Sequence, residues 1–136
     1  MLSGMAKEYV KLFVGIPTQP SKRTIDGRMF ENPLESLLKV LDEFKDRGVA
    51  VVGNYDNVSF TFAKGDGRYR AIPGSSATPT KGELGEMHTE EEVCVTFIAP
   101  KDSLPALLPA LKENHPYETP AIDIVDLLRH QFDCLP

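Results

Sequence analysis

His115-Pro116-Tyr117-Glu118-Thr119-Pro120-Ala121-Ile122-Asp123-Ile124 is the stretch on which the fold turns, because two prolines stand between the last helical signal of the chain and its last strand signal. Each proline fixes its own φ near about −65° and pushes the residue before it out of the helical region, so His115 and Thr119 are held extended and the turn is stiff. The same turn carries an imidazole, a phenol and a carboxylate. It is either a structural corner or a site.

Outward from this corner the chain divides into alternating and helical segments. Glu8 to Ile16 sets Val10, Leu12, Val14 and Ile16 on one side, the period of a half-buried strand. Residues 17–33 are polar, turn-rich and aperiodic, which predicts a surface loop that connects rather than packs, either flexible, as its composition favours, or covering a groove or a neighbouring subunit. Asn32 as N-cap, Pro33 at the first helical position and Glu35 at the third then predict a helix start. Its apolar stripe is Leu34, Leu37, Leu38, Leu41 and Phe44, and Gly48 ends it. Val49–Val52 reads as a buried strand, interrupted by 53–57. Val58, Phe60 and Phe62 resume the alternation, and Gly65-Asp66-Gly67 signals a reversal whose returning arm is Arg68–Ile72. Glu92–Ala99 is a further strand, apolar on both sides. Asp102 or Ser103 caps a second helix with the stripe Leu104, Leu107, Leu108 and Leu111, which Pro109 should kink or end early. Ala121–Leu127 is the last strand, and Leu127–Phe132 a tail against the body.

Strand, helix, strand with hairpin, strand, helix, strand is the split βαβ order of an α+β ferredoxin-like βαββαβ sandwich with an added β-hairpin. A single domain over residues 1–136 is expected, with its core at about 8–128. Both helices would cover one sheet face. Phe13, Phe60, Phe62 and Tyr69 make the other partly apolar, so a homo-oligomer is the economical way to cover it.

Composition narrows the classes of function. At 136 residues one core suffices, and 41% apolar with 26% charged residues is ordinary for a soluble domain. No apolar run approaches the roughly 18 to 20 residues that cross a bilayer, and no secretory signal opens the chain, so a cytoplasmic protein without a membrane partner is expected. Cys94 and Cys134 are too few for a disulfide framework. A formal net charge of −5 with scattered Lys and Arg argues against nucleic acid. An RNA reader stacking bases on Phe60, Phe62 and Tyr69 would need a basic-aromatic signature that is missing.

At the corner, His115 and Glu118 are three residues apart and can converge on one divalent cation, copper or zinc. A third ligand would come from elsewhere, with His88, His130, Asp123 and Glu83 as candidates. The plainer alternative is that His115 and Tyr117 satisfy backbone groups while Glu118 finds a nearby partner. His115 and Tyr117 could also move protons. The chain has no nucleophile elbow, paired-carboxylate motif or phosphate loop, and the residues point to a binding or regulatory module rather than an enzyme.

Five runs, Gly53-Asn54-Tyr55-Asp56-Asn57-Val58-Ser59-Phe60, Gly65-Asp66-Gly67-Arg68-Tyr69-Arg70, Gly82-Glu83-Leu84-Gly85, Glu91-Glu92-Val93 and His115–Ala121, resemble a stand-alone version of the small inserted domain of the YqfO (Nif-three-like) proteins. The His-Pro-Tyr-Glu corner followed by a proline also resembles CutA, the divalent-cation-tolerance family. Both resemblances imply a ferredoxin-like fold that oligomerises, CutA as a trimer, with a small ligand, metal or protein partner near the corner at a subunit boundary. They make His115, Tyr117, Glu118, Asn54 and Tyr55 the candidate ligand-binding residues, with His115 and Glu118 the metal pair. The two-metal centre of the Nif-three-like flanking domains does not carry over. Thr119 and Ile122 depart from the family's usual acidic and aromatic residues.

Overall fold

Alternation along Tyr9–Pro17 produces β1, a nine-residue strand that buries Val10, Leu12, Val14 and Ile16 and turns Lys11, Phe13 and Gly15 to the opposite face. The computed structural model describes residues 8–128. β1 is followed by two short strands, β2 (Ser21–Lys22) and β3 (Met29–Phe30), then α1 (Pro33–Glu43), β4 (Phe60–Arg70), β5 (Met87–Pro100), α2 (Leu104–Glu113) and β6 (Ile122–Asp126). The main sheet has the order β4-β5-β1-β6 with every neighbouring pair antiparallel. β4 therefore runs parallel to β1 and β6 to β5, each pair separated by one strand and linked through a helix, which is the ferredoxin-like arrangement. The core consists of Val10, Leu12, Val14 and Ile16 of β1, Val93, Val95, Phe97 and Ala99 of β5, Leu37, Val40 and Leu41 of α1, and Leu107 and Leu111 of α2.

The start of α1 follows the sequence: Asn32 Oδ1 accepts from Glu35 N at 3.1 Å, and Asn32 Nδ2 donates to Glu35 Oε2 at 3.3 Å. The regular helix stops at Glu43, a 3-10 turn covers Lys45–Arg47, and Gly48 closes it at φ 83°, a left-handed position that suits glycine. α2 runs through Pro109 rather than ending there. Pro105 and Pro109 both lie on its exposed side, and Pro109 leaves the Pro105 carbonyl without its helical donor. Ser103 does not cap α2; its hydroxyl donates to Pro100 O at 2.7 Å. The expected tail beyond Leu128 lies outside the described residues.

Three local expectations give way. Val49–Val52 is not a strand, because Ala50 takes a left-handed φ of 56°; its N–H donates to Ile98 O and its carbonyl accepts from Val58 N, both at 2.8 Å. Ala50 thus occupies the edge of β5 beyond the end of β4. Gly65-Asp66-Gly67 does not reverse the chain. β4 passes straight through it, paired with β5 from Phe60↔Thr96 to Arg70↔Met87, with a bulge between Phe62 and Gly65. The hairpin is formed by β4 and β5 themselves, and residues 71–86 connect them. The 17–33 segment packs rather than only connecting. Phe30 and Arg23 are 2% and 6% exposed, and the Arg23 guanidinium grips Asp26 with two hydrogen bonds, of 3.1 and 2.6 Å, while donating to Glu113 O at 2.5 Å. Arg28 donates to the same carbonyl at 3.1 Å and stacks 4.5 Å from the Phe30 ring centre. Two cations thus satisfy the negative end of α2.

Removing Arg23 takes both guanidinium bonds from Asp26, which keeps the Arg28 amide, and leaves the Glu113 carbonyl with Arg28 as its remaining side-chain donor. Arg23→Met is expected to lower the unfolding free energy by about 2 kcal/mol in urea titrations. A loss below about 0.5 kcal/mol, the usual range of surface substitutions, would contradict this role.

Candidate ligand-binding site

The site is built by the bulge in β4. Before it, Phe60 and Phe62 lie opposite Thr96 and Cys94; after it, Gly65, Gly67 and Tyr69 lie opposite Glu92, Glu90 and His88. All of these residues share the face of the sheet that the helices leave open. Paired without the bulge, β4 would set Lys64, Asp66 and Arg68 there instead, because a single-residue shift exchanges the two faces of a strand. The bulge thus sets two glycines of the sheet, Gly67 of β4 and Gly15 of β1, around the Glu92 carboxylate. A Cβ at Gly67 would lie 2.4 Å from Glu92 Cδ, and one at Gly15 would lie 3.1 Å from Glu92 Oε1.

The corner supplies the other wall. His115 is completely buried, with Nε2 2.7 Å from Gly15 O and Nδ1 accepting from Tyr117 N at 3.1 Å. The carbonyl requires a donor and the amide an acceptor, so the ring is the neutral tautomer protonated on Nε2. Burial, outweighing the bond to Gly15, lowers its pKa to about 4. The bonds to Gly15 and Tyr117 aim the Tyr117 phenol at Glu92, and its hydroxyl donates to Glu92 Oε2 at 2.7 Å. Burial first, and then the carboxylate it serves, push the phenol well above its ordinary pKa, so it remains a donor. Tyr69 packs between His88 and Tyr117, with ring centres at 5.1 and 5.9 Å.

Residues 71–86 form a strap over this end of the sheet. Thr78 N and Oγ1 donate to Glu118 Oε1 and Oε2 at 3.0 and 3.2 Å, Thr80 Oγ1 donates to Pro116 O at 3.1 Å, and Lys81 Nζ reaches the buried Glu90 at 3.2 Å. Between strap, corner and sheet lies a cleft of about 540 Å³, with Glu92 and Tyr117 at its polar end and Ile72, Ala77, Pro79 and Ala121 among its apolar walls.

Of the residues singled out from sequence, Tyr117 and Glu118 line this cleft and His115 supports it from below. Both ring nitrogens of His115 and both carboxylate oxygens of Glu118 already have partners within the chain. Asn54 and Tyr55 line a separate shallow hollow with Lys45 and Asp46. Among the further metal-ligand candidates, His88 pairs with Glu90 at 3.1 Å, Asp123 lies opposite Phe13 in β6, and His130 falls outside the described residues. No group of three His, Cys, Asp or Glu side chains suited to a metal occurs among the described residues. Glu92, Gly15 and Gly67 were not singled out as site residues; the signal for them was the shift of the Phe60, Phe62 alternation to Gly65, Gly67, Tyr69.

No family model matches the chain. Among curated proteins it is 32% identical over 105 residues to the GTP cyclohydrolase 1 type 2 homolog of Mycobacterium leprae, covering 77% of this chain and 26% of that protein. It is 27% identical over 95 residues to the protein of the same name from Staphylococcus aureus, covering 70% and 25%. Among solved structures, a Bacillus cereus protein related to NIF3 superposes with a TM-score of 0.64 at 25% identity, over 91% of this chain and 27% of that one. The chain is homologous to one segment of the Nif-three-like proteins. It spans about a quarter of the length of these relatives. The divalent ion tolerance protein CutA1 of Ehrlichia chaffeensis shares the fold over 94% of this chain and 95% of its own, with a TM-score of 0.57 at 17% identity. The resemblance to the inserted Nif-three-like domain and the fold relation to CutA are both borne out. No helix among the described residues is long and apolar enough to cross a membrane.

The buried neutral imidazole predicts a pH dependence. The folded-state pKa of His115, about 4, lies below the ordinary 6.5, so the unfolded chain binds the extra proton first as pH falls. The stability from His115 is complete above about pH 6.5 and is lost as pH falls toward 4, amounting to on the order of 3 kcal/mol. Urea unfolding at pH 7 and pH 4.5 should show a smaller loss for His115→Gln than for the parent chain. Equal losses would show that His115 does not carry the effect.

Proposed function

We propose that the chain is a binding module that holds a small ligand in the cleft above Glu92 and works as a homo-oligomer, with no catalysis of its own. The observation that carries this reading is a cleft of small-molecule size with a fixed acceptor, Glu92 held by the Tyr117 hydroxyl, at one end and apolar walls at the other. Glycines in the two strands that flank β5 keep space for the carboxylate, which a simple structural corner would not require. A CutA-like divalent-metal site at His115 and Glu118 is a weaker reading, since a cation there would have to displace Gly15 O or Tyr117 N from the imidazole. The name of the CutA neighbour is what supports it.

A mixed-fragment titration followed by amide chemical shifts tests the cleft. Shifts should converge on Gly15, Gly67 and Tyr117 and weaken in Gly67→Ala, whose added methyl would collide with Glu92. Shifts scattered over the surface, or unchanged in Gly67→Ala, would count against it.

The oligomer reading rests on the other end of the same sheet face. Phe60, Phe62 and Val125 are 62%, 45% and 50% exposed, and the Phe60 and Phe62 rings lie 5.1 Å apart. Apolar side chains left exposed on both edge strands of this face are what a second copy covers. A trimer is the expected number from the CutA resemblance. Sedimentation should give a single species larger than a monomer at micromolar concentration, and Phe60→Glu combined with Phe62→Glu should dissociate it without loss of helical signal. A parent chain that sediments as a compact monomer would refute the assembly.

A further inference from the structure

We infer that the cleft ligand carries a protonated nitrogen head, an ammonium or amidinium group, on a compact apolar body, and that Glu92 Oε1 receives the head. This inference rests on the cleft being a ligand site and adds the chemical class. Of the two Glu92 oxygens, Oε2 accepts from Tyr117, whereas Oε1 has no hydrogen-bond or ion-pair partner among the described residues. The carboxylate is fixed where it stands by the Tyr117 hydroxyl and by the missing side chains at Gly15 and Gly67. A fixed, half-buried carboxylate with one oxygen free is an acceptor for a charged donor, and the charge-assisted bond that results is the stronger kind.

The remaining charged groups of the cleft support the sign. Both Glu118 oxygens are taken up by Thr78, so Glu118 holds the strap and is not free to compete for the head. Glu90, opposite Gly67 in the β4–β5 ladder, is already held by Lys81 Nζ at 3.2 Å and His88 Nε2 at 3.1 Å, so Glu92 is the carboxylate left to set the charge at the polar end of the cleft. Arg68 and Arg70 line the cleft from exposed positions, with Arg68 turned 3.7 Å from Asp66. Exposed guanidiniums at the mouth are hydrated and mobile, and they do not define a built anion site as Glu92 defines a cation site. The apolar body has Ala71, Ile72, Ala77, Pro79 and Ala121 to cover, and Ile72 stands 69% exposed without it.

Benzamidine, benzoate and benzyl alcohol share an aromatic body and differ in the charge of the head, so titrating each against the full chain separates the class of ligand from the existence of the site. Benzamidine should give saturable amide shifts at Gly15, Gly67 and Tyr117, and bind about tenfold more weakly to Glu92→Gln, which keeps an acceptor for Tyr117 but removes the charge. Saturable binding of benzoate or benzyl alcohol at these residues, equal to or tighter than that of benzamidine, would overturn the cationic class and leave the cleft standing. Equal benzamidine affinity in Glu92→Gln would overturn it as well. Absence of saturable shifts at the cleft with all three probes would overturn both the class and the site.

Discussion

One extra residue in β4, between Phe62 and Gly65, decides what the open face of the sheet becomes. Upstream of it the face is aromatic and bare. Downstream the same face presents Gly67 and Tyr69 to Glu92, Glu90 and His88, and it is wide enough at the glycines for a carboxylate to lie against the strand. A bulge removes one rung of hydrogen bonding and increases the local twist, which lets the β4–β5 arms extend past β1 and curl under the strap. Strap, cleft and Glu92 geometry all depend on that rung.

The corner meets this arrangement from the far edge. His115 spends both ring nitrogens on the chain itself, one on Gly15 of β1 and one on Tyr117, and this fixes the distance between the last turn of α2 and the sheet. The prolines on either side limit the backbone to the path that such a ring can bridge. His115 is therefore a positioning residue. Its contribution to any ligand passes through Tyr117, whose phenol it aims at Glu92. At the metal pair suggested by spacing, a cation would have to displace one of these two bonds of the imidazole.

The fold was legible because its signals were local and repeated. β1, both helical stripes, the Asn32 cap and the apolar β5 each follow from period or capping chemistry. What escaped depends on contacts distant in sequence. Gly65-Asp66-Gly67 has the composition of a turn, and only pairing with Glu90–Glu92 keeps it extended. Val49–Val52 has the composition of a strand, yet Ala50 is bent into a left-handed conformation by bonds to Ile98 and Val58. The polar 17–33 segment looks solvated until Arg23 and Arg28 are placed on the Glu113 carbonyl, 90 and 85 positions away in the chain. For the site, Tyr117 and Glu118 were visible in the corner, whereas Glu92 was legible only as the first residue of the apolar strand Glu92–Ala99.

The two ends of the open face follow different physical logic. At the aromatic end the exposed area is apolar and the remedy is burial, which a second copy supplies without specific polar contacts. At the cleft end the chain has already covered the face with its own strap, clasped by Glu118, and the exposed element that remains is one oxygen of Glu92. Gly15 and Gly67 lose more backbone entropy on folding than any side-chain-bearing residue would, and they leave a carboxylate half-buried near a second acid. The Tyr117 hydroxyl offsets the second cost at Oε2 alone, and Oε1 has no partner among the described residues. An oxygen held in place without a partner is what the proposed ligand site requires and what a purely structural corner would have replaced with a methyl group.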